Sequence, residues 1–234
     1  MKCVRIFILA ALAASVLSPV STGAQEVRGS ITIKARENLL NKLPEQVAYF
    51  LPWFQMADVV STDGSLSSGR LNICLVDNSV RFIHTTGDTL LLANADRVQR
   101  IMVGDTVLLQ TNGFFVKQLL VYGTKSLAEK RELSIERQSE YGGYSSIPAT
   151  STARKGNMTA VDPNYVNQGE GTFDYRLKTT YVLTDGDEVY RANLSAFTRI
   201  FPEKKKEIRS YAKSHKTDFD SKISLMELFY FCIE

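Results

Sequence analysis

The chain has 234 residues, 44% apolar and 23% charged, with a formal net charge of +3. Those fractions belong to an ordinary globular protein and exclude a disordered or low-complexity chain. The charge is small, and two of its cations (Lys2 and Arg5) sit at the amino end, so the alkaline balance does not point to nucleic acid as a partner.

Lys2 and Arg5 precede an apolar run from Ile6 to Leu17, followed by small residues closing on Thr22, Gly23 and Ala24. A basic head, a short apolar middle and a small-residue cut site make residues 1–24 a secretory signal peptide. The run is shorter than the ~20 apolar residues that span a bilayer. Cleavage after Ala24 takes 24 of the 234 residues, leaves 210, and lowers the formal charge to +1. A chain of that length folds as one large or two small domains, needing neither metal nor disulfide. No later segment has the length and hydropathy of a transmembrane helix. Cys3 leaves with the leader, and in an oxidising compartment Cys74 and Cys232 have the option of one long-range disulfide.

In residues 26–50, Ala35 to Leu43 suggests a short helix stopped by Pro44, and Gln46 to Leu51 looks extended. Residues 54–137 read as a β-meander. Extended runs are separated by Asp63-Gly64, Asp77-Asn78, Gly87-Asp88, Gly104-Asp105 and Asn112-Gly113, pairs that tolerate the positive φ of tight hairpin turns. Around an Asp77-Asn78 turn, Leu75 is expected opposite Val80, Ile73 opposite Phe82, Leu71 opposite His84, and Cys74 opposite Arg81. Leu71, Ile73, Leu75, Val80 and Phe82 then share the core face. Phe114 to Tyr122 is a strand, and Lys125 to Arg137 is read as another, its Ala, Glu and Lys content notwithstanding.

Residues 139–178 are rich in Gly, Ser and Thr and form a linker or a functional loop, its tyrosines (Tyr141, Tyr144, Tyr165, Tyr175) being the feature that suits a site. A hairpin follows about Asp185-Gly186. Asn193 then caps a helix carrying Leu194, Phe197, Ile200 and Phe201. After Pro202, Ile208, Tyr211, Ala212 and His215 keep helical spacing, as do Leu225, Leu228, Phe229 and Cys232. The fold class is α+β: an antiparallel β-meander or small barrel-like sheet in 25–138, a flexible loop in 139–178, and in 179–234 a hairpin with two or three helices packed on the sheet.

Chemistry-bearing residues are few. Cys74 and His84 are the one pair suited to a thiol nucleophile and its base, but the expected register puts them on opposite faces. Two histidines without a further ligand at metal spacing do not make a zinc site. Asp185-Gly186-Asp187-Glu188 lacks the closing ligand of a calcium loop and reads as a turn. No phosphate-cradling loop or nucleophile elbow is present, so neither a cofactor nor a catalytic residue is assigned. The basic segment 203–216 carries Lys204, Lys205, Lys206, Arg209, Lys213 and Lys216, either a solvated helix face or a contact for anionic lipid or lipopolysaccharide phosphate.

Two stretches carry a resemblance. Ala57-Asp58-Val59-Val60, Asp63-Gly64 and Gly69-Arg70-Leu71-Asn72-Ile73 lead into Val80-Arg81-Phe82-Ile83, Asp88-Thr89-Leu90 and Ala93-Asn94-Ala95-Asp96-Arg97-Val98. Thr180-Tyr181-Val182-Leu183 is followed by Phe201-Pro202-Glu203-Lys204-Lys205-Lys206-Glu207-Ile208. Together these resemble an uncharacterised family of secreted envelope proteins from Bacteroidetes-type Gram-negative bacteria. The resemblance implies export to the periplasm, outer membrane or exterior, and no chemistry. It also implies that Asp88-Thr89-Leu90 and Asp105-Thr106-Val107 match an O-glycosylation pattern, with Thr89 and Thr106 as acceptors.

Three functions are expected from these readings. The first is a non-catalytic envelope protein that binds or scaffolds a protein, glycan or lipid. The second is an envelope hydrolase whose site is assembled from strand ends and the Tyr-rich loop. The third is a membrane-surface module that uses the basic helix.

Overall fold

The computed structural model describes residues 26–138 and 170–234. The expected leader and Tyr141, Tyr144 and Tyr165 lie outside the described residues. Eleven strands make one antiparallel sheet: β1 (Glu26–Ile33), β2 (Gln55–Ser61), β3 (Leu66–Ile73), β4 (Val80–Ile83), β5 (Thr89–Leu91), β6 (Val98–Val103), β7 (Thr106–Thr111), β8 (Phe114–Tyr122), β9 (Lys125–Arg137), β10 (Gly171–Asp185) and β11 (Glu188–Arg191). The order is β1-β10-β9-β8-β7-β6-β2-β3-β4-β5, with β11 beside β10. β1 and β5 are the two ends of the sheet and do not pair with each other, so the expected α+β layout with an antiparallel meander is present as an open sheet, without closure into a barrel.

The meander's turns are those its sequence requires. Asn112 and Gly113 both take positive φ (50° and 79°) in the two-residue turn that sets Thr111 opposite Phe114. The hairpin of β3 and β4 is offset by two residues from expectation: Leu71 faces Phe82, Asn72 faces Arg81 and Ile73 faces Val80. The turn is longer because the Asp77 carboxylate accepts from the Ser79 N–H and hydroxyl, while the Cys74 N–H donates to the Ser79 carbonyl. A slip of two keeps every side chain on its face. Leu71, Ile73, Leu75 and Val80 are buried and Phe82 packs against them, as the alternation requires.

The expected helix before Pro44 is present but shorter, and the extended stretch expected after it begins with a helical turn. The helix α1 is only Leu39–Lys42, capped by Asn38, whose side chain accepts from the Leu40 N–H. Residues expected to be extended instead form α2 (Glu45–Ala48), because Pro44 and Glu45 suit a first helical turn. This segment lies along β3: the Phe50 N–H donates to the Ile73 carbonyl and the Leu75 N–H to the Ala48 carbonyl, each within 3 Å. Asn72, 1% exposed, holds the crossing in place. Its Oδ1 accepts from the N–H groups of Leu51 (2.9 Å) and Ile73 (2.8 Å), and its Nδ2 donates to the Leu51 carbonyl (3.0 Å). Arg131 ties β9 to the same segment, donating to the carbonyls of Gln46, Tyr49 and Phe50.

One core is built from both ends of the sheet. Ile33, Phe173 and Leu177 of β1 and β10 cluster with Val59, Ile73 and Val80 of β2–β4, and Leu39, Leu43, Val47 and Phe50 lie among them. The sheet therefore curls over the α1–α2 segment. A second core lies at the other end of β9 and β10, where Leu127, Tyr181 and Leu183 meet α3 (Leu194–Ile200), α4 (Lys205–Ser214) and α5 (Lys222–Ile233). Asn193 caps α3 as expected, accepting from the Ala196 N–H (2.9 Å). Phe197, Phe201, Ile208, Leu225, Leu228 and Phe229 of the helical part are nearly inaccessible. The last eight residues of the expected loop, Gly171–Lys178, belong to β10 and pair along β1. Among the described residues no helix is long and apolar enough to cross a membrane.

Truncating Asn72 to Ala leaves the Leu51 N–H and carbonyl without partners inside the protein. Each buried unpaired group costs about 1–3 kcal/mol. Urea unfolding of the Asn72→Ala variant is expected to show a loss of about 2–4 kcal/mol with an unchanged slope; a loss below ~1 kcal/mol removes Asn72 from this role.

Candidate functional site

The basic helix is where the structure gathers the most charge. α4 is anchored by Ile208, which is fully buried, and by Tyr211, stacked between His215 (ring centroids 4.0 Å) and Phe231 (4.4 Å). At about 100° per residue, Lys205, Lys206, Arg209 and Lys213 fall within an arc of about 100°, its centre about 110° from Ile208 and its Lys205 edge beside Ala212. All four are exposed, and none forms an ion pair with a described residue. Glu207 lies off this arc.

Two of the six expected cations stand apart. Lys204 is half-buried, and its Nζ donates to the Phe231 carbonyl (3.3 Å) in the last turn of α5, where a cation satisfies an orphan helix carbonyl. Lys216 lies beyond the end of α4 with φ of 50°, exposed but outside the helical repeat.

Cys74 and Cys232 are free thiols in separate cores, so the optional disulfide is not formed. Burial pushes the Cys74 thiol up to about 11, with the Asp77 carboxylate adding to the effect, and pushes Cys232 up to about 12. Cys74 faces no base. His84, expected on the core side, is exposed in the β4–β5 turn, where its Nδ1 lies 3.0 Å from the Thr86 hydroxyl, which donates to Asp88 (2.7 Å). The hydroxyl proton goes to a carboxylate that caps the turn, so this cluster orders a hairpin and activates no nucleophile. His215 caps its own helix, its Nδ1 3.1 Å from the Tyr211 carbonyl.

The Asp185–Glu188 segment is the hairpin turn expected of it: Asp185 faces Glu188, and Asp185 accepts from the Thr124 hydroxyl (2.6 Å). Among the described residues no group of three His, Cys, Asp or Glu is placed to hold a metal ion. Thr89 is exposed on the edge strand β5, whereas Thr106 is half-buried in β7, opposite Val103.

A second surface escaped the sequence reading. On the face of the sheet opposite the helices, Val116, Ala128 and Val182 are buried, shielded by Leu109, Phe114 and Val189. Beside them runs a shallow groove of about 390 Å³, lined by Phe114 and Asn112 at one end and Arg191 at the other, with Lys130, Lys178 and Thr180 between. Lys130 lies over the Phe114 ring (3.8 Å) and pairs with Glu132 (2.6 Å). The available signal was the alternation Lys178, Thr180, Val182 against Leu177, Tyr181, Leu183, which gives β10 two different faces.

No family model matches this chain, and no curated protein or solved structure matches it either.

The thiol environments predict a pH dependence. Both thiols hold their proton more tightly in the folded chain than at the ordinary value of 9.0. Their contribution to stability is therefore complete below pH 9.0 and is lost as pH rises toward about 11 and about 12. The urea midpoint is expected to fall across that window, and less steeply in the Cys74→Ala/Cys232→Ala variant. Near neutral pH a thiol reagent should label neither cysteine until denaturant is added; rapid labelling of the folded chain refutes their burial.

Proposed function

We propose that this is an exported, non-catalytic envelope protein that binds an anionic surface through the basic arc of α4. The observation that carries this reading is the set of four exposed cations, Lys205, Lys206, Arg209 and Lys213, on one face of a helix rigidly docked by Ile208 and Tyr211. The docked helix presents these cations together without ordering any backbone on binding, and each contributes about 1 kcal/mol near an anionic bilayer. The leader, with Lys2 and Arg5 before Ile6–Leu17, supports delivery to a compartment bounded by such surfaces.

Vesicle co-sedimentation tests the reading. The chain lacking residues 1–24 is expected to sediment with vesicles containing phosphatidylglycerol and not with phosphatidylcholine alone. Binding should vanish in 1 M salt, where the screening length is about 3 Å. Replacing the four cations by Gln should weaken binding by about a hundredfold or more. Equal binding by this variant ends the proposal.

Thr89 and Thr106 separate as glycan acceptors. Only Thr89 is exposed, on an unpaired edge where an enzyme can reach it. Mass spectrometry of the protein from its native source should find any glycan on the Thr89 peptide and none on the Thr106 peptide. An unmodified intact mass ends the idea.

A further inference from the structure

We infer that the groove on the face opposite the helices binds an acidic saccharide, taking a sugar carboxylate between Lys178 and Arg191 and the ring's hydroxyls along Thr180, Asn112 and Glu132. The site goes beyond the α4 reading and shares no residue with it. Its volume, about 390 Å³, lies at the small end of the roughly 300–1,000 Å³ usual for ligand pockets and suits one or two sugar rings.

Charge complementarity decides the class of ligand. Three cations and one carboxylate line the groove. That carboxylate, Glu132, is 2.6 Å from Lys130, which also lies on the Phe114 ring, so both side chains are already fixed. Nearby carboxylates are engaged too: Glu26 by Arg28 and Arg176, and Asp220 by Arg191 at 3.3 Å. Lys178 has no ion pair with a described residue, and exposed Arg191 gives Asp220 one guanidinium nitrogen, Nη2, at 3.3 Å, leaving the rest of its planar fork to meet a carboxylate. The floor is Val182 and Val189, apolar surface for the carbon face of a sugar ring.

The acceptors argue for a sugar over a bare anion. Glu132 and the side-chain oxygens of Asn112 and Thr180 accept hydrogen bonds, of which a sugar ring's several hydroxyls donate many and the inorganic phosphate dianion's single hydroxyl at most one. A fixed carboxylate beside a dianion is repulsive, whereas beside a singly charged, hydroxyl-rich ring it is a partner. The register keeps this array together: Lys178 faces Glu132, Thr180 faces Lys130 and Val182 faces Arg191 across adjacent strands.

Titration calorimetry of the chain lacking residues 1–24 with the monosaccharide galacturonic acid tests the inference. Saturable binding is expected, with none for galactose and no competition by inorganic phosphate. Arg191→Gln and Lys178→Gln, both surface changes that leave the cores intact, should each weaken it about tenfold. The α4 variant with four Gln should bind the saccharide like the parent chain, so failure of the α4 reading and of this one are told apart. No binding, equal binding of galactose, displacement by phosphate, or loss in the α4 variant alone would each overturn the proposal.

Discussion

The ladder between β9 and β10 is the constraint on which the molecule depends. Lys125–Arg137 pairs residue for residue with Phe173–Asp185, without a bulge. Side chains alternate along both strands, so one face of this ribbon gathers most of its apolar residues, in two clusters. Leu133, Ile135, Phe173, Tyr175 and Leu177 give half of that face to the curled sheet, and Leu127, Tyr181 and Leu183 give the other half to the helices. Arg131 stands between the halves. Burial lowers the pKa of its guanidinium, and three backbone carbonyls of the α1–α2 segment accept from it. Such charge-assisted bonds are stronger than neutral ones, which lets a partly buried cation tie the amino-terminal segment to the ribbon.

The same ladder explains why both candidate surfaces lie where they do. The helical core takes the inner face of the ribbon's end, so α4 can only present its far side, and there its cations gather. The opposite face of β9 and β10 is left to Lys130, Glu132, Lys178 and Thr180, with Val182 enclosed by its neighbours. The two surfaces are separated by the sheet itself, so ligands on them do not compete for space.

How much of this was legible follows from which signals are local. The alternation of Leu71, Ile73, Leu75, Val80 and Phe82 gave the core face even though the turn was two residues longer than expected, because parity survives an even slip. Asn193 and the spacing of Leu225, Leu228 and Phe229 announced the helices for similar reasons. β1 was not legible because its alternation, Val27 to Ile31, is interrupted by Gly29. A Cβ there would fall on the phenol of Tyr175, directly across the ladder, so the glycine's gap is filled by a residue far along the chain. Phe173, Tyr175 and Leu177 did alternate, but the Gly- and Thr-rich composition before them drew the strand into the expected loop. Lys204 looked like one more cation in a run, and only the packing of α5 shows its ammonium spent on the Phe231 carbonyl.

The open edge of the sheet has a cause in the same accounting of polar groups. Closing the sheet requires β1 to meet β5, but the space between the sheet's ends is occupied by the α1–α2 segment, which lends its own backbone to β3. The Phe50 and Leu75 N–H groups, the isolated bridge of Tyr49 with Cys74, and the Asn72 amide join this segment to the end of β3, beyond the last rung of its ladder with β2. A buried polar side chain is warranted there because the Leu51 N–H and carbonyl, outside any ladder, find their partners in the Asn72 amide. β5 remains a three-residue edge carrying Thr89, Leu90 and Leu91, all exposed. Its shortness limits the backbone it offers to another chain, the usual protection of an edge against unwanted pairing.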